Sequence, residues 1–242
     1  MDIAQFKEWL QNLPSDEESS CGYFTDLTAK MKAFKVSDVV SSDVQEYLIT
    51  AGFRRSGDLF YANVCDHCKK CQSIRINLSQ FKLSRSLKRV LSKNSQVVVQ
   101  VVEPKIDTIK EFLYLRYQKM RHHDESQEFS TLHYLQSMRH QMYQNPQGTL
   151  ELQLILDNKL IGFGIIDCGM VTVSPVYSVF EVELAKQSLG SLFILKVIEW
   201  AKENDYRYIN LGYYIEGHKK MHYKNKFKPY ELSHPSSNIW CE

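Results

Sequence analysis

The second half of the chain contains an order of apolar segments that limits which folds are possible. Three strand-like segments, at residues 150–157, 160–168 and 171–180, follow one another with only short turns between them. An amphipathic segment at residues 188–205 comes next, and another strand-like segment follows at residues 206–214. A strand, a helix and a strand in succession form a crossover in which the two strands run parallel. We therefore predict one mixed sheet, antiparallel at first and parallel at the crossover.

Two helical segments precede these strands. Residues 106–124 place Ile109, Phe112 and Tyr117 at helical spacing, and residues 130–143 form a second amphipathic segment. Two helices, three consecutive strands, a helix and a strand are the layout of an N-acetyltransferase-like (GNAT-type) acyltransferase domain. We predict this domain for the C-terminal half.

The first half of the chain has the pattern of a smaller α/β unit. From residue 41 to residue 102 it predicts a helix, a β-hairpin, a strand, a basic helix and a buried strand at residues 96–102. Pro104 interrupts the pattern, because proline is poorly tolerated inside regular elements. We place the boundary there, which gives an N-terminal domain at residues 1–103 and a C-terminal domain at residues 104–242. The predicted fold class is α+β.

The composition indicates a globular protein without a membrane partner. Of its 242 residues, 43% are hydrophobic and 24% are charged, and no apolar run approaches the length of a membrane span. The N-terminal segment has Asp2 and apolar residues at helical spacing, so it lacks the basic start and continuous apolar run of a signal peptide. We expect a cytoplasmic protein.

A basic segment lies in the first half. Between Phe53 and Ser95, ten basic residues stand against two acidic ones, an excess of eight, although the formal net charge of the whole chain is only +2. Arg85, Lys88 and Arg89 share one side of the predicted basic helix. This charge density is typical of a surface that binds a polyanion, and a solvated basic face is the alternative.

The sequence CDHCKKC, with Cys65, Cys68 and Cys71, forms a cysteine knuckle in this basic segment. A closed tetrahedral zinc site needs four ligands, and this motif supplies three thiols. Zinc, an iron–sulfur cluster and free thiols are all compatible with the spacing. Cys168 and Cys241 lie far from the motif in sequence.

Several common catalytic motifs are absent from the sequence. It contains no Gly-x-Ser-x-Gly nucleophile elbow, no Walker loop and no dinucleotide fingerprint. These absences argue against covalent serine catalysis and against nucleotide-driven chemistry.

Several blocks of the sequence together resemble a known family. The N-terminal block GFRRSGDLFYANVCDHCKKCQSIRINLSQFKLSRSLKRVLSKN and the C-terminal blocks LYLRYQKMRHHD and SPVYSVFEVELAKQSLGSLFILKVIEWAKENDYRYINLGYYIEGHKKMHYKNKFKPYEL are similar to the arginyl-tRNA-protein transferase family. Together the matching blocks cover most of the chain from Cys21 to Leu232. The compact length resembles the bacterial branch, the aspartate/glutamate leucyltransferases.

The resemblance implies an enzyme, an aminoacyltransferase that moves leucine from leucyl-tRNA to acceptor proteins that begin with Asp or Glu. The product has a destabilising N-terminus for N-degron proteolysis. This chemistry requires no cofactor, because the aminoacyl ester is already activated. The alternatives are an arginyl-tRNA donor, an acetyl-CoA-dependent acetyltransferase, and a zinc-knuckle RNA-binding module without catalysis.

The resemblance also suggests roles for individual residues. Cys21 lies in a second cysteine-bearing block and is the expected fourth ligand beside the three knuckle cysteines, with zinc or an iron–sulfur cluster as the possible metal. Candidates for catalysis are His122, Asp124, Tyr177 and Tyr213. Candidates for substrate binding are Arg75, Arg121, Lys220 and Lys224. Candidates for tRNA binding are Arg54, Arg55, Arg85, Lys88, Arg89 and Lys93.

Overall fold

The computed structural model describes residues 2–36, 40–123, 126, 128–144, 148–233 and 239–241. Among these residues the α-helices are α1 (Ile3–Asn12), α2 (Ser42–Thr50), α3 (Arg85–Lys93), α4 (Thr108–Arg121), α5 (Thr131–Met138) and α6 (Leu189–Glu203). Helix α5 continues into a π-helical turn, Arg139–Tyr143, and two short 3₁₀ helices span Val182–Gln187 and His222–Lys226. No helix in the described ranges is long and apolar enough to cross a membrane.

The strands form three sheets of very different size. In chain order they are β1 (Ser19–Ser20), β2 (Thr28–Ala29), β3 (Met31–Lys35), β4 (Arg54–Ser56), β5 (Leu59–Asn63), β6 (Gln72–Asn77), β7 (Val98–Val102), β8 (Thr149–Leu156), β9 (Lys159–Cys168), β10 (Thr172–Phe180), β11 (Tyr208–Tyr214) and β12 (Glu231–Ser233). Strands β1 and β2 pair with each other, and β3, β5 and β4 form a three-stranded sheet. The main sheet has seven strands in the order β12-β6-β11-β10-β9-β8-β7.

The predicted mixed sheet is confirmed. Strands β8, β9 and β10 pair antiparallel in succession, and β11 pairs parallel with β10 after the crossover through α6. At the turn between β8 and β9, Asp157 and Asn158 both have positive φ angles, 49° and 60°. Asn and Asp tolerate this conformation better than most residues, which allows a turn of only two residues.

The main sheet also contains strands from before Pro104. Strand β6 pairs with β11 and β12, and β7 pairs with β8. The sheet therefore continues across the expected boundary at residue 104, which local sequence patterns cannot reveal because strand pairing is long-range.

Residues 96–102 were predicted to form a buried strand. The strand is present as β7, but it is not buried. Strand β7 lies at the edge of the sheet, and its five residues alternate between exposed and half-buried. Val98 is 58% exposed. A continuous run of apolar residues predicts a strand but does not distinguish an edge from a centre.

Helices cover both faces of the main sheet. Leu192, Leu195 and Ile198 of α6 and Leu87 of α3 belong to one buried cluster with the sheet residues Ile74, Ile76, Leu152, Val173 and Ile209. Leu113 and Tyr114 of α4 and Met138 of α5 belong to a second cluster with Phe163, Ile165 and Val179. A third cluster joins α1 and α2 to the three-stranded sheet.

Candidate functional site

A large cavity opens where two central strands separate. Strands β10 and β11 pair only at Thr172 with Tyr208 and at Val173 with Ile209. Both strands then contain register irregularities, and residues of their later parts line a cavity of about 720 Å³. The α4 end, the first turn of α6 and the segment 220–226 complete its walls. The fold thus supplies a concave site at the centre of the sheet.

Arg54 bridges the two strands at the point where they separate. Its guanidinium donates to Ser174 Oγ (2.9 Å) and to the carbonyl oxygen of Pro175 (3.0 Å), both on β10. On β11, a Cβ atom added to Gly212 would lie 2.7 Å from Arg54 Cζ, and Gly212 has φ 79°. Glycine is therefore required here for space and for backbone conformation. The predicted residue Arg54 lines the cavity.

Basic side chains dominate one part of the cavity lining. Arg121 and His122 come from the end of α4, and Lys220 comes from the loop after β11. Lys224 and Lys226 come from the 3₁₀ helix that follows. The structure thus brings together predicted residues from two distant segments of the sequence: Arg121 and His122 from one, Lys220 and Lys224 from the other.

Lys224 is buried in this wall. Its Nζ donates to the carbonyl oxygen of Tyr213 (2.5 Å). Burial, and then the nearby charge of Arg54, lowers the Lys224 pKa to about 7. This lysine therefore changes its charge near neutral pH, unlike an exposed lysine.

His122 lies at the mouth of the cavity as the C-terminal cap of α4. Partial burial lowers its pKa, and the positive charges of Lys220 and Arg121 lower it further. All three effects disfavour the imidazolium form, so the imidazole is mainly neutral at pH 7 and can accept a proton.

Tyr177 and Tyr213 hold fixed phenol groups in the lining. Tyr177 accepts a hydrogen bond from Gln118 Nε2 (2.8 Å), and Tyr213 accepts one from the backbone N–H of Asn63 (2.9 Å). Burial raises the pKa of both phenols above the ordinary value. Both groups therefore stay neutral and each retains an O–H proton that can be donated.

Another part of the lining is apolar. It is formed by the end of β10, the 3₁₀ helix Val182–Gln187 and the first turns of α6, with these side chains: Phe180, Val182, Leu184, Leu189 and Ile194. Phe180 also packs edge to face against Tyr117, with 6.1 Å between ring centroids. The cavity therefore offers a cationic wall and an apolar wall to one ligand.

Two predicted binding residues are used inside the protein instead. Arg55 forms a buried two-point ion pair with Asp167, at 2.9 Å from Nε and 2.7 Å from Nη2, and its Nη1 donates to Gly57 O. Its side chain is 2% exposed. All three kinds of guanidinium nitrogen are engaged, so the structure contradicts the prediction that Arg55 binds tRNA phosphate.

Arg75 is also excluded from its predicted role, which was substrate binding. It pairs with Glu231, 2.6 Å from Nη2, and its guanidinium lies between the rings of Tyr208 and Trp240, 4.3 and 4.2 Å from their centroids. It does not line the cavity. An arginine that already binds a carboxylate and two rings is a structural residue.

The basic helix lies next to the cavity. Arg85, Lys88, Arg89 and Lys93 are exposed on α3, while Leu87 packs into the core. At the C-terminal end of the helix, Lys93 Nζ donates to Lys186 O (2.6 Å) and Asn94 Nδ2 donates to Gln187 O (2.9 Å). Residues 185 and 188 line the cavity, so the helix ends at its rim.

The four cysteines of the predicted metal site are close enough to affect one another. The Cys71 pKa is raised to about 11, mainly by burial and to a smaller extent by Cys65, Cys21 and Cys68, while a hydrogen bond with Asn63 opposes the rise. Cys21 Sγ accepts from the backbone N–H of Tyr23, and Cys65 Sγ from that of Lys30, both at 3.4 Å.

The arrangement of these thiols does not match a metal centre. Thiol groups suit zinc and iron–sulfur clusters chemically. However, in the part of the chain that the structure describes, no three His, Cys, Asp or Glu side chains are grouped so that they could hold a metal ion. The predicted zinc or iron–sulfur site is therefore not supported.

The cysteine-bearing loop nevertheless contacts the site. Tyr23 lines the cavity, and the rings of Tyr23 and Phe24 pack against His218, with centroids 5.6 and 5.9 Å away. His218 Nδ1 accepts from the backbone N–H of Lys220 (3.3 Å). The loop thus supports the segment that carries Lys220.

Some lining residues were not predicted from the sequence. Tyr23, Tyr117, Glu181 and Lys226 lie in blocks that resemble the family, but the local sequence assigns them no role, and they come together only because β10 and β11 separate. The predicted residue Asp124 lies outside the described residues.

The fold and the cavity define a class of protein with a mixed sheet whose central strands separate around a cavity lined by basic and apolar side chains. The same fold occurs in the C-terminal domain of a putative lysylphosphatidylglycerol synthetase from Agrobacterium fabrum, at TM-score 0.51 and 17% identity. The match covers 84% of this chain and 66% of that chain.

Sequence comparison identifies the family. Family models described as arginine-tRNA-protein transferase, N terminus and C terminus, match residues 19–89 and 110–234. The chain belongs to this family and is a transferase enzyme. The resemblance predicted from the sequence is thus confirmed.

The chain is also similar to curated proteins over almost its full length. An aspartate/glutamate leucyltransferase of Leptospira interrogans (serogroup Icterohaemorrhagiae serovar copenhageni) is 36% identical over 240 residues, 98% of this chain and 93% of that protein. The enzyme of the same name from Pseudoalteromonas atlantica is 34% identical over 212 residues, 87% of this chain and 89% of that protein.

Proposed function

We propose that the protein transfers the leucyl group of leucyl-tRNA to the α-amino group of proteins that begin with Asp or Glu. The observation that carries this proposal is the cavity between β10 and β11, with its cationic and apolar walls. The cationic wall suits the tRNA 3′ end and an acidic acceptor side chain, and the apolar wall suits a leucyl side chain. The relatives named aspartate/glutamate leucyltransferase support the same donor and acceptors.

The reaction exchanges one bond for another. The neutral acceptor amine attacks the carbonyl carbon of the leucyl ester, and a C–N bond forms. The C–O bond to the ribose of the tRNA then breaks. The amine loses a proton and the ribose oxygen gains one, so the products are a peptide bond and free tRNA. Positioning and stabilisation of the transient oxyanion are the main tasks for the protein.

Three of the predicted catalytic residues fit these tasks. His122 is mainly neutral and can accept the amine proton. Tyr177 and Tyr213 each retain an O–H proton and can donate to the oxyanion. Their fixed hydrogen bonds to Gln118 and Asn63 keep the phenols in place.

The acceptor side chain needs a cationic partner. Arg121 and Lys220 are exposed at the mouth of the cavity, and Lys224 lies deeper beside Arg54. An arginine fork or a lysine binds a carboxylate through charge-assisted hydrogen bonds. We assign the acceptor Asp or Glu side chain to this group.

The tRNA is expected to follow the basic helix to the cavity. The exposed residues Arg85, Lys88, Arg89 and Lys93 would contact phosphates, and Arg54 would meet the 3′ end. Contacts of this kind position the nucleic acid without reading its sequence.

The proposal extends to the fold class and the biological role. The separation of β10 and β11 and the crossover through α6 support a GNAT-type acyltransferase core. A leucine added to the N-terminus would direct the acceptor to N-degron proteolysis. Because aminoacyl-tRNA is made in the cytoplasm, we place the enzyme there.

A transfer assay tests the proposal. Purified protein is incubated with leucyl-tRNA or arginyl-tRNA and with peptides that begin with Asp, Asn, Glu, Gln, Lys or Arg. We expect leucine on the Asp and Glu peptides and little product on the other four. Asn and Gln are the matched controls because they differ from Asp and Glu mainly in charge. Transfer from arginyl-tRNA alone would favour the arginyl alternative, and no transfer from either would refute the proposal.

A further inference from the structure

Glu181 is an acidic residue in a cavity whose other charged lining residues are basic. The basic side chains Arg54, Arg55, Arg121, Lys220, Lys224 and Lys226 line it, whereas Glu181 is the only acidic one among the described lining residues. A cationic cavity attracts anions, so a single carboxylate in its wall is suited to a positively charged part of a substrate.

The two carboxylate oxygens of Glu181 have different surroundings. Oε2 pairs with Arg116 Nη2, from an arginine exposed on α4. Oε1 is buried and has no hydrogen-bond partner in the described structure. A buried oxygen without a donor costs free energy, which a ligand that donates a hydrogen bond would recover.

The backbone of Glu181 is fixed. Its N–H donates to Ile161 O on β9 (2.8 Å), and its carbonyl oxygen accepts from the N–H of Leu184 (3.2 Å). The terminal torsion of a glutamate side chain is soft, so the carboxylate can turn Oε1 toward the cavity while the backbone stays in place. Val182 and Leu184 of the apolar wall follow directly in the chain.

Only one substrate needs a carboxylate and an apolar surface side by side. The leucyl group carries an ammonium and an isobutyl group close together. The acceptor amine must be neutral when it attacks, and a carboxylate beside it would favour its protonated form.

We propose that Glu181 binds the α-ammonium group of the donor leucyl ester through Oε1, while Val182, Leu184 and Leu189 contact the isobutyl group. This inference rests on the proposed leucyl transfer. Glu181 is then a donor-binding residue and takes no proton in the reaction.

The test compares two donors that differ in the charged group. One is leucyl-tRNA, and the other is tRNA that carries the α-hydroxy analogue of leucine, which has the same side chain but no ammonium. We expect the wild-type protein to prefer leucyl-tRNA by about 10- to 100-fold in kcat/KM, the usual range for a charged hydrogen bond. Glu181→Gln should bring this ratio close to 1 and leave the KM for the acceptor peptide unchanged.

Two control variants accompany it. Glu183 is exposed and does not line the cavity, so Glu183→Gln should keep the wild-type ratio. Arg116→Gln removes the partner of Oε2 but not the carboxylate, so the donor preference should persist.

The outcomes separate the inference from the proposed function. An equal loss with both donors in Glu181→Gln, or a higher acceptor KM with an unchanged donor ratio, would overturn the role of Glu181. If the wild-type protein used leucyl-tRNA and the hydroxy analogue with equal kcat/KM, the role of Glu181 would be overturned even if the Glu181→Gln variant failed to fold. Absence of leucyl transfer by the wild-type protein would instead refute the proposed function.

Discussion

At the scale of single residues, Lys224 shows how position changes chemistry. Its pKa of about 7 results from burial first and from Arg54 second. A bound acceptor carboxylate would favour the charged form. Under the proposed function, Lys224 must be protonated to bind the acceptor carboxylate, and in the free enzyme it loses this proton as the pH rises through about 7.

This dependence on pH can be measured. The ratio of kcat/KM for an Asp peptide to that for an Asn peptide should fall as the pH rises from 6 to 8.5, because neutral Lys224 no longer attracts the carboxylate. Both peptides react through an α-amino group, so the effect of pH on the acceptor amine cancels when their kcat/KM values are divided. Lys224→Met should give a low ratio at every pH, whereas Lys219→Met, at an exposed residue that does not line the cavity, should keep the wild-type fall. A ratio that does not change with pH in the wild-type protein would contradict the role of Lys224.

Single residues also show how much of the site could be predicted from the sequence. Arg121, His122, Lys220 and Lys224 were found through their motifs, and the structure places all four at one cavity. Arg55 and Arg75 belong to equally basic stretches, but their partners Asp167 and Glu231 are distant in sequence. Glu181 escaped notice because its feature, an unpartnered oxygen, exists only in the folded chain.

At the scale of elements, short-range patterns predicted most helices and strands correctly. The two-residue turn after β8 and the basic helix follow from local residue preferences. The strand order in the main sheet, and the edge position of β7, depend on pairing between distant segments. No local periodicity contains that information.

The pair Arg55–Asp167 joins β4 of the small sheet to β9 of the main sheet, with side chains 2% and 4% exposed. Arg55→Leu should lower the free energy of unfolding by about 3 to 5 kcal/mol, because it leaves a buried carboxylate without its countercharge. The double variant Arg55→Leu with Asp167→Leu should recover much of this loss. Denaturant unfolding measures both.

A surface pair provides the control. Arg139 pairs with Glu111, and its side chain is 58% exposed. Arg139→Gln should change the free energy of unfolding by less than about 1 kcal/mol. If Arg55→Leu had an equally small effect, the pair would not be what holds the two sheets together.

At the scale of the whole molecule, charge is distributed unevenly around one cavity. The exposed cations of α3 end at its rim, and the lining itself is mainly basic. This arrangement continues one positive surface from the outside of the protein into the site. Under the proposed function, long-range attraction of the tRNA would guide its 3′ end toward the cavity.

Salt dependence of tRNA binding tests this surface. Each phosphate contact contributes a slope of about −0.7 to −0.9 to a plot of log K against log salt concentration. Arg85→Gln with Arg89→Gln should make the slope less steep by about 1.5. Lys7→Gln with Lys35→Gln, exposed residues of α1 and β3, should leave the slope unchanged. Equal slopes for all three proteins would exclude α3 from the tRNA surface.

The position of β6 between β11 and β12 also has a consequence for folding during translation. Strand β6 is translated early, but both of its neighbours are translated much later. Its Ile74 and Ile76, which end fully buried, have no sheet to join until then. We therefore expect this apolar strand to stay unpaired until residues 208–214 have been made, and an unpaired apolar strand in a nascent chain is prone to aggregate.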